Sequence, residues 1–377
     1  MRIGIDARFF GPFGKGLGRY TEELVRGVTS MDTQNEYVVF LHPSNFSQFE
    51  PSRPGVRKVV APFRWYTLAE QVRFPALIRR EHVDLMHFPH FNVPLYTRVP
   101  FLVTIHDLIL SRFPTERATT LGPVLYALKH RAYQFVISRA VKRACRVVTV
   151  SETTKNDVVE EFGLDPAHVT ATLLGVDRER WQHLAPETVL SQWGINRPFF
   201  MFTGNAYPHK NLDRLLAAFQ RVREAGHDWQ LVLVGRDDYF FRRLRAEAER
   251  LGLLHHHDVI FPGYVTDAEL ARLYHNSLAY VFPSLAEGFG LPPLEAMAAG
   301  AVVASSSATS MPEVLGGAAL YFDPRSVPDM AAVMTRIGTD DALRQELRAR
   351  ATERILRYDW KTMVQQTITA YQSCLVR

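Results

Sequence analysis

Phe282-Pro-Ser-Leu-Ala-Glu287-Gly-Phe-Gly-Leu-Pro-Pro-Leu-Glu295-Ala-Met-Ala-Ala-Gly300 joins a short aromatic and β-branched run to a helical one through a glycine-rich loop. A strand ends at Pro283, the loop follows, and a helix runs through Glu295 to Ala299. Glycines at 288 and 290 remove the side chains that would keep backbone amides from an anion at the helix N-terminus. Glu287 stands at the mouth of the loop and Glu295 one to two helical turns further in. Both carboxylates can accept hydrogen bonds from the hydroxyls of a polar ligand. A helix with an acidic first turn would show similar residues for its dipole alone, but two acids bracketing this loop at eight-residue separation are a more specific pattern.

Outward from this stretch, short β-branched runs alternate with longer helical patterns, the signature of parallel βαβ units covered by helices on both faces. One series of expected strands covers 2–6, 37–41, 58–61, 83–87, 102–106, 147–150 and 169–174. A second restarts at 199–203 and continues through 231–234, 259–261, 279–282, 302–305 and 320–322. Between them, 175–198 lacks a strong apolar period and reads as a connection holding a short helix. The pattern predicts a first domain over 1–185, joined by a terminal helix at 358–377, and a second over 186–357. No internal repeat is visible.

Composition bounds the function. The 377 residues are 47% hydrophobic and 11% aromatic, enough for two packed cores. The two cysteines, Cys145 and Cys374, lie far apart without CxxC spacing, so neither a disulfide framework nor a thiolate metal site is expected. A reducing cytoplasm fits that reading. A charge at residue 2 and an acid at residue 6 argue against a signal peptide, and no apolar run approaches the ~18 residues needed to span a bilayer. Residues 1–175 carry 22 Lys and Arg against 16 Asp and Glu, whereas the remainder carries 22 against 23.

The Glu287-to-Glu295 spacing resembles the E-x7-E pattern of retaining GT-B glycosyltransferases of family 4. Gly14-Lys-Gly-Leu-Gly-Arg19-Tyr, Thr104-Ile-His106-Asp107-Leu, Thr149-Val-Ser151-Glu, Gly204-Asn-Ala-Tyr-Pro-His-Lys210-Asn211-Leu and Phe261-Pro-Gly-Tyr-Val265 follow in that family's order, over essentially the whole chain. The resemblance implies two Rossmann-like, doubly wound domains facing each other across a cleft, with the nucleotide held mainly by the C-terminal one. It implies donor-binding roles for Gly16, Gly204, Asn205, Lys210, Val265, Gly288, Phe289, Gly290, Leu291 and Glu295, and catalytic roles for His106, Glu287 and Lys210.

Each match also has a physical reading. Gly14, Gly16 and Gly18 lie between the first strand and a helix expected from about Leu17, where amides and the helix dipole can face a diphosphate; a plain tight turn would need the same glycines. Lys15 departs from the commoner paired glycines, which leaves Gly16 as the expected contact. Lys210 opens a helix and can neutralise a departing diphosphate; an exposed helix-start lysine is the plainer alternative. Family members often carry an arginine near Asn205, so His209 or Arg19 is needed to complete a second cation. His106 ends a strand at the carboxyl edge of its sheet, where ligands collect, or else forms a satisfied core pair with Asp107.

The remaining histidines carry less. In His87-Phe-Pro-His90 the proline breaks regular ligand geometry, and His255-His-His257 reads as an exposed turn. No Asp-x-Asp is present to hold a divalent ion beside a diphosphate, so metal-free chemistry is expected, with no cofactor.

Residues 112–146 hold eight basic side chains (Arg112, Arg117, Lys129, Arg131, Arg139, Lys142, Arg143 and Arg146) against the single acid of that patch, Glu116. On a helical wheel Arg139, Lys142, Arg143 and Arg146 share one third of the circumference, opposite Tyr133, Val136, Ile137, Ala140, Val141 and Ala144. Such a helix can pack its apolar arc on the sheet and meet anionic lipid, at the inner face of the membrane, or a diphosphate-lipid acceptor. Ordinary solvated charge explains it equally well, and no nucleic-acid motif accompanies it.

The wider likeness is to bacterial mannosyltransferases that build surface polysaccharides. GDP-mannose is thus the expected donor, and a glycan or lipid-linked oligosaccharide the acceptor. A UDP-hexose donor and a same-fold sugar-nucleotide epimerase are the alternatives. A two-lobed sugar-binding protein would need an export signal.

Overall fold

A computed structural model describes residues 1–12, 15–112 and 123–374 of the chain. Its contacts divide the described residues into two compact units, 1–175 with 359–374, and 176–358. The first unit carries β1 (Arg2–Asp6), β2 (Glu36–Leu41), β3 (Val56–Val60), β4 (Leu85–Phe88), β5 (Phe101–Ile105), β6 (Arg146–Thr149) and β7 (Val169–Ala171). They form one parallel sheet in the order β3-β2-β1-β4-β5-β6-β7.

The second unit carries β8 (Phe199–Thr203), β9 (Gln230–Val234), β10 (Val259–Gly263), β11 (Ala279–Phe282), β12 (Val303–Ser306) and β13 (Ala319–Phe322), parallel in the order β10-β9-β8-β11-β12-β13. In both sheets the chain first winds to one side and then crosses to the other. The reversal falls between β1 and β4 in one unit and between β8 and β11 in the other, and at such switch points the carboxyl-end loops diverge and leave a crevice for ligands. These are two doubly wound Rossmann-like domains.

The residue choice explains the layers. Tyr37 to Leu41 of β2 and Leu231 to Leu233 of β9 are wholly buried, as strands covered on both faces require. The helix Lys15–Met31 buries Tyr20, Leu24 and Val28 at four-residue spacing, and Leu212–Glu224 buries Leu212, Leu215, Leu216, Phe219 and Val222. Between the units' sheets, the stretch after residue 175 holds only a short 3-10 turn and the five-residue helix Thr188–Gln192.

The last helix, Trp360–Ser373, packs on Lys15–Met31 within the first unit. A Cβ on Gly27 would come within 2.3 Å of Val364, so a glycine is needed at this crossing. The return of this helix corrects the expectation about the cysteines. Cys145, at the start of β6, and Cys374, at the end of the last helix, are disulfide-bonded, with Cα atoms 5.3 Å apart across a sequence separation of 229. Linear distance hid the pair because only the tertiary path of the C-terminal helix closes it. Among the described residues no helix is long and apolar enough to cross a membrane.

Candidate active site

The second unit's switch point is where the sequence motifs meet. β8 ends at Thr203 and hands the chain to Gly204, Asn205 and the single 3-10 turn Pro208–Lys210; β11 ends at Phe282 and hands it to the Glu287 loop. One backbone bond and one side chain hold these loops together. Leu285 donates its N–H to the carbonyl of His209 at 2.7 Å. Asn211, buried and in the left-handed conformation at φ 62°, donates its side-chain amide to the carbonyls of Pro283 (3.0 Å) and Pro324 (2.7 Å). Asparagine tolerates this conformation better than most residues.

Lys210 and Glu287, 77 positions apart, are thereby brought into direct contact. The ammonium donates to the carboxylate, Nζ to Oε1, at 2.6 Å, with side chains only 14% and 11% exposed. The ammonium also lies 5.4 Å from the centre of the Phe282 ring. Two partly buried opposite charges satisfy each other here, and any anion reaching the lysine would have to compete with the carboxylate for it.

The Glu287 loop rests on the turn after β12. Glu287 donates its N–H to Thr309 Oγ1 at 3.0 Å, and Ser310 donates its hydroxyl to the Glu287 carbonyl at 3.0 Å. Gly290 has φ 89° and caps the helix Leu291–Ala298; a Cβ there would meet Met311 at 2.5 Å. The positive φ therefore favours glycine at 290, beyond any ligand approach, and a Cβ there would also make the Met311 methyl shift. Pro292 and Pro293 have no N–H, so of the first helical turn only Leu291 can offer an amide to an anion.

Several expected residues contribute differently than their positions implied. The Phe289 ring is buried edge-on to Tyr358 at 5.6 Å, and Val265 is buried, which leaves their backbone groups for any ligand. Asn205 Oδ1 accepts the N–H of Tyr207 at 3.3 Å and shapes its own loop. Gly204, at φ 150°, donates its N–H to Val234 and faces Gly235, where a Cβ would come within 2.5 Å of the Gly204 carbonyl. Glu295 is 9% exposed on the helix, close enough with Glu287 to raise the titration of the buried Tyr280 hydroxyl, which burial raises most.

Of His209 and Arg19, the two groups offered as a second cation, His209 carries no charge while the site holds no anion. Burial first, and the Lys210 charge second, lower its pKa to about 4, so the ring is neutral at pH 7.

In the first unit, His106 lies just past β5 rather than within it. Its Nε2–H donates to the Pro89 carbonyl at 2.8 Å, the Tyr20 ring stands edge-on at 4.7 Å, and burial lowers its pKa to about 4. It is a neutral imidazole with a fixed tautomer, and no core pair with Asp107 is needed to hold it. Gly16 falls inside the helix Lys15–Met31 with open space beyond its Cα, whereas a Cβ on Gly18 would come within 2.1 Å of the Gly11 carbonyl. Gly14 lies outside the described residues.

The basic segment is also divided by the structure. Arg143 donates to the carbonyls of Leu95 and Thr97, Arg146 to Ser373 and the Ala167 carbonyl, and Arg112 pairs with Asp157. Lys129, Arg131, Arg139 and Lys142 on the helix Pro123–Arg143 are exposed. Arg117 and Glu116 lie outside the described residues. Sequence reading missed Thr309 and Ser310 altogether, since nothing in a run of small polar residues announces which of them reaches a loop 22 positions earlier.

Two family models match the chain, "Glycosyltransferase Family 4" over residues 14–180 and "Glycosyl transferases group 1" over 189–354. The chain belongs to the family 4 glycosyltransferases. The Escherichia coli O-antigen chain mannosyltransferase B is 27% identical to this glycosyltransferase over 95% of this chain and 96% of that protein. The serotype-specific mannosyltransferase WbdA of the same organism is 31% identical over 85% of this chain, which spans only 37% of WbdA. Among solved structures, sucrose-phosphate synthase from Thermosynechococcus elongatus shares the fold with a TM-score of 0.78 at 18% identity, covering 100% and 99% of the two chains. WaaG, a glycosyltransferase involved in lipopolysaccharide biosynthesis, gives 0.73 at 17% identity over 97% and 98%. Both carry the GT-B architecture to which this glycosyltransferase conforms.

Proposed function

We propose that this glycosyltransferase moves mannose from GDP-mannose, with retention of anomeric configuration, to a hydroxyl of a glycan or lipid-linked acceptor. The observation that carries the reading is the Lys210–Glu287 pair at the switch point of the second unit, 2.6 Å apart. One cation and one carboxylate at that switch point support the reading, because they match the charge of a nucleotide sugar's diphosphate and the donors of its hydroxyls. The donor assignment draws on the relatives named as mannosyltransferases.

In this mechanism Lys210 exchanges Glu287 for the diphosphate, and its charge stabilises the leaving group together with the amides of residues 288–291. The freed Glu287 carboxylate accepts from a sugar hydroxyl, and Glu295 accepts from the ribose. As the bond to the diphosphate lengthens, the sugar gains oxocarbenium character, and the acceptor hydroxyl attacks on the face the diphosphate leaves, its proton passing to the departing diphosphate oxygen. His106 is assigned to the transferred sugar by the family likeness. Positive charge from Lys210 and peptide dipoles removes the need for a metal ion, so turnover should survive chelation.

A thermal-shift panel of nucleotide sugars tests the donor, because a ligand that binds only the native state raises the melting temperature. GDP-mannose should give the largest shift. No shift from any nucleotide sugar at millimolar concentration sinks the reading. A separate proposal concerns the exposed Lys129, Arg131, Arg139 and Lys142: they would hold the protein at anionic lipid. Cosedimentation with phosphatidylglycerol vesicles but not phosphatidylcholine vesicles is the expected result.

A further inference from the structure

Thr309 occupies a conformation its side chain disfavours. It has φ 52°, in the left-handed region, where a β-branched residue is a clear outlier. It is the first central residue of the turn Ala308–Met311, closed by the Met311 N–H to the Ala308 carbonyl at 3.3 Å. Ser310 follows at φ −75°, ψ −8°. A positive φ at this position of a turn is one that glycine adopts at least cost. Thr309 is exposed, so burial of its methyl group does not offset the strain.

What the turn gains is contact with the Glu287 loop. Thr309 Oγ1 accepts the Glu287 N–H, Ser310 donates to the Glu287 carbonyl, and Met311 fills the space beside Gly290. Three consecutive residues thus seat two positions of the loop, Glu287 and Gly290, and both backbone polar groups of Glu287 are engaged by hydroxyls. Glycine would suit the turn but would leave the Glu287 amide without this acceptor. Strain held at a site while an easier residue exists points to a role for the group that only the strained residue brings.

We propose that Thr309 is a positioning residue whose hydroxyl fixes the backbone of Glu287 and so aims its carboxylate. This rests on the reading of Glu287 as a substrate-binding carboxylate. Thr309 itself need not touch the substrate.

The test separates positioning from stability. Thr309→Gly relieves the strain and deletes the hydroxyl, and Thr309→Ser keeps the hydroxyl. Both are compared with Glu287→Gln by thermal melting and by release of nucleoside diphosphate from whichever nucleotide sugar the wild type consumes. Thr309→Gly should melt at or above the wild-type temperature while kcat falls about tenfold, the effect of losing one hydrogen bond that holds a reacting group. Its KM for the donor should stay within about twofold, and Thr309→Ser should retain kcat. Wild-type kcat in Thr309→Gly, or melting temperature and kcat falling together in both variants, overturns the proposal. If Glu287→Gln is inactive while Thr309→Gly is not, only the role of Thr309 fails. If Glu287→Gln turns over normally, the reading of Glu287 fails and the role of Thr309 with it.

Discussion

The Tyr371 hydroxyl lies 2.7 Å from Nδ1 of His87, a contact across 284 positions that ties the C-terminal helix to the end of β4. The other ring nitrogen of His87 is 2.8 Å from Thr104 Oγ1, which is 3.0 Å from the Tyr20 hydroxyl, and all four side chains are fully buried. Tyr371→Phe leaves a buried histidine nitrogen without its partner. It should destabilise the protein by roughly 1–3 kcal/mol, read as a lower denaturant midpoint. An unchanged midpoint would show that the hydroxyl contributes nothing to the native state.

Four histidines should stay neutral well below the usual range. Burial lowers His87 and His90 to about 3 and His106 and His209 to about 4. A group whose folded pKa is depressed contributes stability above its unfolded value, near 6.5, and that stability is lost as pH falls toward the folded value. Melting temperature should therefore drop between pH 6.5 and 4, with up to roughly 3 kcal/mol at stake per histidine. In a proton NMR titration, four of the 14 histidines should show no shift between pH 5 and 8.

The two glycine positions should respond in opposite ways to alanine. Gly290→Ala meets both a positive φ and Met311, so stability should fall by about 1–3 kcal/mol together with turnover. Gly16→Ala enters open space within a helix and should leave stability unchanged or slightly raised. A loss of donor or acceptor affinity in Gly16→Ala at full stability would identify it as a ligand contact. Full activity would leave Gly16 without a ligand role.

Lys210→Ala should lower kcat by about 10²-fold or more, the scale on which one charge-stabilising donor acts. Excess EDTA should leave wild-type turnover unchanged. Activity in Lys210→Ala equal to wild type, or activity abolished by chelation, removes the lysine from the charge-neutralising role.

The architecture was legible because both sheets are buried on both faces, so apolar runs such as Tyr37 to Leu41 and Leu231 to Val234 stand out against the helical periods between them. Boundaries moved where a motif residue closes a strand: His106 falls just outside β5, whose last pair is Ile105 with Thr149, and its ring bonds the Pro89 carbonyl. The Glu287 loop and Lys210 were readable as separate motifs. Their direct contact was not, since it depends on Asn211 holding a left-handed conformation while bridging two carbonyls 72 and 113 positions away. The neutrality of His209 likewise depends on burial that no spacing reveals. The Cys145–Cys374 bond required the path of the last helix.

That bond has a testable cost when broken. Closing a loop of 229 residues restricts the unfolded chain and can stabilise the native state by up to about 5 kcal/mol. Thiol titration of denatured, unreduced protein should find no free cysteine, and dithiothreitol should lower the melting temperature. Two titratable thiols would refute the pairing.

The return of the final helix to the first sheet makes residues 176–358 an insertion within an otherwise separate Rossmann body, entered once and left once. A single cut cannot swap the halves with those of a relative, because one junction would strand the terminal helix away from the sheet it covers. Two junctions, near 176 and near 358, would let the inserted portion travel as a cassette. If nucleotide preference is housed there, such a graft would carry it along while the host kept its own acceptor.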